Sequence, residues 1–157
     1  MSQATLFSFR EHRGRLTTTI FGDDRMNIAR TILIVEDEPI IRASLAMALR
    51  EAGYLVSESF SGEDAVGKLA ASDIVGIVTD IRLGAGLSGW DVARRARHRD
   101  PRMAIVYMSG DSAADWHTDG VPNSTMVQKP FSSAQLLVAV SQLLENADLR
   151  PATLSIA

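Results

Sequence analysis

The 157-residue sequence predicts an α/β domain, a five-stranded, doubly wound parallel sheet with helices on both faces. Three observations lead there. Short apolar, β-branched runs alternate five times with segments of helical periodicity. The first run, Thr31 to Val35, is apolar on both faces, as a buried parallel strand requires, and Ile74 to Thr79 is likewise an apolar run. Four of the runs are stopped by polar groups: Glu36 and Asp37, Asp80, Ser109 and Lys129.

Residues 1–25 mix Ser, Thr and Arg with isolated Leu6, Phe7, Phe9, Ile20 and Phe21 at no sustained period. They read as a tail, either a weakly ordered arm or an extension upstream of a start at Met26. The domain is expected over 30–146, with a second tail over 147–157. Thr31-Ile32-Leu33-Ile34-Val35 is the first strand. Pro39 fits a first helical turn, and Ile41, Leu45, Ala48, Leu49 and Ala52 follow at helical spacing until Gly53 ends the segment. Tyr54 to Ser59 is a short strand, after which Ser61 caps a helix carrying Ala65, Val66, Leu69 and Ala70. Ile74 to Thr79 is the third strand and ends at Asp80. After a glycine-rich loop, Trp90 to Arg99 reads as a helix closed before Pro101, and Met103 to Met108 as the fourth strand. Asp111 to Asn123 is weakly periodic and holds Gly120 and Pro122, so the fourth helix is expected to be short or irregular. Thr125 to Gln128 is the fifth strand, and Phe131, Leu136, Leu137, Val140, Leu143 and Leu144 mark the last helix.

Composition narrows the chemistry. Apolar residues at 46% and charged residues at 22% describe a chain that can build a core. Sixteen Lys plus Arg against 19 Asp plus Glu give a net charge of −3, so nothing global attracts nucleic acid or anionic membrane. The absence of Cys excludes disulfides, iron–sulfur clusters, Cys-ligated zinc and a thiol nucleophile. His12, His98 and His117 are scattered, which argues against a His-based metal site. No apolar run approaches the ~18 residues that span a bilayer, and no apolar h-region with a cleavage site opens the chain. The expectation is a cytoplasmic protein with no membrane partner.

In open α/β sheets ligands bind beyond the carboxyl ends of the strands, where Glu36, Asp37, Asp80, Ser109 and Lys129 fall. Three carboxylates at one rim repel and raise each other's pKa unless a cation joins them. An oxygen-rich, sulfur-free set suits Mg²⁺, with Glu36, Asp37 and Asp80 as ligands. Strand-end acids are often only solvated loop residues, but the full set of five argues against that here.

Over Thr31 to about Leu144 the sequence resembles the receiver domain of two-component response regulators. The motifs are Val35-Glu36-Asp37-Glu38, Val78-Thr79-Asp80, Met108-Ser109-Gly110 and Gln128-Lys129-Pro130-Phe131. Each is weak alone; their order, strand-end placement and spacing agree. The resemblance implies a flavodoxin-like fold of the stand-alone, chemotaxis-regulator type. Asp80 would be the phosphoacceptor, charged by a histidine kinase or histidine phosphotransfer protein, and its modification would switch contact with a downstream protein target. Glu36 and Asp37 would hold Mg²⁺, Ser109 would bind a phosphoryl oxygen and Lys129 would pair with the phosphoryl group. Slow self-phosphorylation and self-dephosphorylation would be its only enzymatic chemistry. Those roles suit phosphoryl transfer, whose transition state asks for charge neutralisation and positioning. Lys129-Pro130 is a candidate cis peptide.

Two departures stand out. The position three before the lysine, often aromatic in the family, is Met126, so no swinging ring can report phosphorylation. The short fourth-helix segment, Asp111 to Asn123, is then the expected low-stability element that moves on phosphorylation. Arg82 and Asp111, two residues beyond Asp80 and Ser109, carry opposite charges that could pair across the site.

Other readings are weaker. Gly84-Ala85-Gly86-Leu87-Ser88-Gly89 spells GxGxxG, and Asp111 lies 22 residues beyond Gly89, as in a dinucleotide-binding fingerprint. Yet Ile81-Arg82-Leu83 intervene and Asp80 already occupies the strand end. An Mg²⁺-dependent phosphohydrolase working through an aspartyl phosphate would need a second acid two positions on, and that position is Arg82. Arg94, Arg95, Arg97, Arg99 and Arg102, with His98, read as a solvated helix face, with an acidic protein partner as second choice. Trp90 and Trp116 read as core or loop anchors. The 13 residues after Leu144 are too few for a helix-turn-helix module, so no DNA-binding domain is expected and the output is a protein contact. A stand-alone regulator, a phosphorelay shuttle, a receiver excised from a larger kinase and a homodimer all stay open.

Overall fold

The computed structural model describes residues 29–71 and 73–150. The tail expected over 1–25 lies outside the described residues, as does 151–157 of the second one. Among the described residues the chain runs β1 (Thr31–Val35), α1 (Pro39–Glu51), β2 (Leu55–Ser59), α2 (Gly62–Ala71), β3 (Ile74–Asp80) and α3 (Gly89–Arg99). It continues through β4 (Ala104–Ser109), a 3-10 turn (Ala113–Asp115), α4 (Trp116–Asp119), β5 (Thr125–Gln128) and α5 (Ser133–Leu149). The five strands form one sheet in the order β2-β1-β3-β4-β5, every pair parallel. This is the predicted five-stranded parallel α/β architecture.

The unbroken apolar runs follow from burial on both sheet faces. Ile32 and Ile34 of β1 point to the side where Leu45, Ala46 and Leu49 of α1 meet Leu136, Val140, Leu143 and Leu144 of α5. Leu33 and Val35 point the other way, onto Ala65 and Leu69 of α2 and Val92, Ala93 and Ala96 of α3. Fully burying one such Leu, Ile or Val contributes on the order of 2 kcal/mol, so both layers hold the sheet. From β1 the chain winds one way to β2 and then back past β1 to β3. The connections leaving β1 and β3 therefore diverge, which opens a crevice at the carboxyl ends of these two strands.

The helix ends carry local signals. Pro39 opens α1, and Gly53, at φ +94°, closes the turn after it. Capping boxes start α3 (Ser88 with Asp91) and α5 (Ser132 with Gln135). The last helix continues to Leu149, past the boundary expected at 146, and buries Ala147 in its final turns. The Lys129-Pro130 peptide is cis. None of the helices among the described residues is long and apolar enough to cross a membrane.

The fourth helix is short, as expected, but its segment is tied down rather than loose. Arg97 donates to the carbonyls of Met103 (2.8 Å), Pro122 and Asn123 (3.1 Å). Arg94 reaches Asp119 (3.6 Å). The Val121 N–H donates to the buried Tyr107 hydroxyl at 3.2 Å, and Trp116 Nε1 donates to Ser124 Oγ at 3.0 Å. The basic cluster is thus not one solvated face: Arg97 is half-buried and binds the connection between α4 and β5, while Arg94 reaches the end of α4. Trp116 is a loop anchor, and Trp90 packs on Tyr107 with ring centroids 4.5 Å apart.

Candidate phosphoacceptor and cation site

Register brings the strand-end residues into line. Val35 pairs with Thr79, Asp80 with Met108, and Ser109 with Gln128. Glu36, Asp80, Ser109 and Lys129 therefore step along one rim of the sheet. Lys129 Nζ lies 3.0 Å from Asp80 Oδ2 and 3.3 Å from Glu36 Oε2. Glu36, Asp37 and Asp80 offer three carboxylate oxygens within 4.8 Å of one another. The side chains of Glu36, Asp37, Asp80 and Lys129 converge, and Ser109 adjoins them through the main chain, its carbonyl accepting the Lys129 N–H at 2.8 Å.

Burial and charge set the protonation balance. Glu36 is 1% exposed, and desolvation pushes its carboxyl above the usual range. The Glu38 N–H, donating to Oε1 at 3.1 Å, and the Lys129 ammonium pull it back only partly, while Asp80 adds repulsion. Burial pulls Lys129 down, but its hydrogen bond and attraction to Asp80, then Glu36, outweigh this and hold it above its ordinary value, firmly an ammonium. The Asp80 side chain is 14% exposed, enough for a small group to reach it, and its Oδ1 accepts the Arg82 N–H at 3.3 Å. Two carboxylates converge on one ammonium with a third beside them, and the atoms available to a cation are all oxygens. That donor set fits a hard divalent cation.

Ser109 Oγ accepts the Ser112 N–H at 2.8 Å and the Asp111 N–H at 3.3 Å, which starts the turn after β4. Arg82 Nη2 meets Asp111 Oδ2 at 2.8 Å, so the expected pair forms beside the site with both side chains mostly exposed. Gly89 follows from the site itself, because a Cβ there would lie 2.1 Å from the Asp80 carbonyl oxygen.

The GxGxxG stretch is not a phosphate cradle. Gly84 and Gly86 take φ +74° and +100° to close the turn, and Glu63 of α2 enters it, accepting the Leu87 N–H at 2.8 Å. The Ser88 N–H is bound by Asp91 Oδ2 at 3.0 Å. A loop whose N–H groups are taken by carboxylates repels an anion, which counts against the dinucleotide alternative.

Sequence reasoning missed Arg42 and Glu63 and read Arg97 only as part of a solvated face. Arg42 donates to the Glu36 carbonyl at 2.8 Å, and all three residues mainly bind main-chain atoms, for which a sequence carries no residue signature.

Residues 32–141 match the response regulator receiver domain family. The response regulator receiver protein CpdR of Brucella abortus is 29% identical over 117 residues, covering 73% of this chain and 97% of that one. The probable transcriptional regulatory protein TcrX of Mycobacterium tuberculosis is 27% identical over 116 residues, 73% of this chain; the chain spans 49% of TcrX, about half its length. A crystal structure of a response regulator receiver protein from Sinorhizobium medicae matches with a TM-score of 0.75 at 47% identity, covering 76% of this chain and 98% of that one. A five-stranded parallel sheet, acids and a lysine gathered at its carboxyl rim, and these likenesses together make the chain a member of the receiver-domain family of two-component response regulators.

Proposed function

We propose that Asp80 takes a phosphoryl group from a phosphohistidine of a histidine kinase or phosphotransfer protein. The modified site then changes a contact with a downstream protein in the cytoplasm. The observation that carries this is the convergence of the Glu36, Asp37 and Asp80 carboxylates within 4.8 Å, with Lys129 Nζ 3.0 Å from Asp80. Glu36, Asp37 and Asp80 are the residues that would hold Mg²⁺, which when bound supplies neutralising charge for the phosphoryl oxygens. An Asp80 oxygen forms the new O–P bond as the N–P bond of the donor breaks. Lys129, held as an ammonium, pairs with the negative charge that arrives. Ser109, whose oxygen already accepts two N–H groups, has its hydroxyl proton to donate to a phosphoryl oxygen. The groups position and neutralise rather than perform acid–base work, which is what a metaphosphate-like transition state requires. With Arg82 where a hydrolase of this chemistry carries its second acid, turnover is restricted to slow self-phosphorylation and hydrolysis of the chain's own phosphoaspartate.

The test is intact-mass measurement after incubation with acetyl phosphate and Mg²⁺. One phosphoryl group should add to the wild-type chain and none to Asp80→Asn or in excess chelator. Phosphorylation that survives either change overturns the assignment.

A further inference from the structure

The three carboxylates at the rim are not held alike. Glu36 is fixed by the Glu38 N–H and by Lys129, and Asp80 by Lys129 and the Arg82 N–H. Among the described residues the Asp37 carboxylate has no hydrogen-bond or ion-pair partner, so its direction is set by the main chain beneath it. The Glu36 and Glu38 N–H groups have partners in Ser59 and Glu36 Oε1, but the start of α1 lacks a cap. Glu38, the residue before α1, makes no side-chain cap, and Pro39 has no N–H to give.

One residue supplies what is missing. Arg42 Nη1 donates to the Glu36 carbonyl at 2.8 Å and, more weakly, to the Asp37 carbonyl at 3.5 Å, and the Arg42 N–H donates to the Glu38 carbonyl at 3.0 Å. The Arg42 side chain thus engages the carbonyls of the two peptide planes that flank the Asp37 Cα, and its main chain takes up the next. The Arg42 side chain is 19% exposed, and its Nε is 3.8 Å from Glu58 Oε2; the other oxygen of that carboxylate, Oε1, takes Arg50 at 2.8 Å.

We propose that Arg42 is a positioning residue for the cation site, aiming the Asp37 carboxylate by fixing the peptide planes on either side of it. The inference rests on the reading of Glu36, Asp37 and Asp80 as Mg²⁺ ligands. The sign of the effect separates positioning from charge. Removing a cationic side chain near a dication site tightens metal binding by Coulomb's law alone. Removing an outer-shell support loosens it, typically 10–100-fold.

The experiment measures the apparent Mg²⁺ dissociation constant from the dependence of the melting temperature on MgCl₂ concentration. It uses the wild-type chain, Arg42→Met, Arg42→Lys and Glu58→Gln, each also melted in chelator. Arg42→Met should raise the constant about tenfold, the lower end of that range. Arg42→Lys, whose shorter side chain brings an ammonium only partway to the carbonyls that Nη1 reaches, should raise it about threefold. Glu58→Gln, which removes the ion pair but not the carbonyl contacts, should stay within about twofold of wild type. An unchanged or tighter constant in Arg42→Met overturns the proposal, as does an equal loss in Glu58→Gln. If Arg42→Met does not fold in chelator, Arg42→Lys decides by the same criterion. A wild-type chain whose melting ignores Mg²⁺ overturns the ligand reading itself, and this inference with it; wild-type binding with unaltered Arg42 variants overturns only the inference.

Discussion

Arg97→Met keeps a long apolar stem and removes the guanidinium that reaches three carbonyls. Their environments differ. Met103 is 2% exposed, so its carbonyl loses a charged donor where water does not readily replace it, at a cost of about 1–3 kcal/mol. Pro122 and Asn123 are exposed, and water takes over their carbonyls at small net cost. Against this, burial, and then the nearby Arg150, hold Arg97 below its usual pKa, a sign of a desolvation penalty that the substitution relieves. The net expectation is a loss of about 2 kcal/mol, or a fall in Tm of roughly 6–10 °C for a domain of this size. Urea melts of Arg97→Met beside Arg95→Met, an exposed neighbour on the same helix, measure it. Hydrogen exchange at Gly120 and Val121 should accelerate only in the Arg97 variant, since their segment loses its tie. Equal stability of the two variants within about 0.5 kcal/mol, with unchanged exchange, refutes the claim that Arg97 holds this segment.

The Arg82–Asp111 pair, 2.8 Å apart but with side chains 74% and 60% exposed, is worth about 0.2–1 kcal/mol. Arg82→Ala, Asp111→Ala and the double variant should therefore each change the rate of phosphoryl loss by a few-fold and non-additively; strictly additive rates would show that the pair does not act as a unit. Ser88→Ala should cost about 1 kcal/mol by removing the cap of α3. The Ser88 hydroxyl, then the Ser88 N–H, hold Asp91 below its ordinary 3.8, so this stabilisation is complete above that value and disappears as pH falls through the lower folded one. The Ser88→Ala deficit should accordingly narrow in acid urea melts, and a constant deficit down to full protonation refutes the coupling. Gly89→Ala places a Cβ 2.1 Å from the Asp80 carbonyl, so the backbone carrying Asp80 must shift. A loss of about 1–3 kcal/mol and reduced phosphorylation by acetyl phosphate are expected; wild-type yield would falsify the claim of contact.

The inner strands β1, β3 and β4 were legible because burial on both faces leaves a nearly uninterrupted apolar run, and the candidate site because residues ending adjacent parallel strands are neighbours in space. Glu36, Asp80, Ser109 and Lys129 needed only the strand assignment to be brought together. The end of α5 was less legible, since the periodicity was read from large residues and stopped at Leu144, whereas Ala147 continues the buried stripe. The fourth-helix segment looked loose for a related reason. Gly120 and Pro122 read as breakers, yet Gly120 gives Trp116 room, with any Cβ falling 2.4 Å from the indole. Arg42, Arg97 and Glu63 were illegible because their main partners are backbone atoms whose positions exist only after the fold does.

Ser109 has a polarity of its own. With its oxygen accepting from Ser112 at 2.8 Å and Asp111 at 3.3 Å, both lone pairs face the turn and the hydroxyl is left with one proton to offer. Such a group distinguishes visitors by sign: an anionic oxygen completes it, whereas an ammonium or a donating hydroxyl meets no acceptor. The same oxygen is the hinge pin of the turn, so any ångström-scale move of Ser109 toward a newly arrived anion lengthens the bond to Ser112 at once. On the proposed reading of Ser109 as the donor to a phosphoryl oxygen, detection and transmission would reside in one atom; a threonine there should preserve both, and an alanine should lose both together.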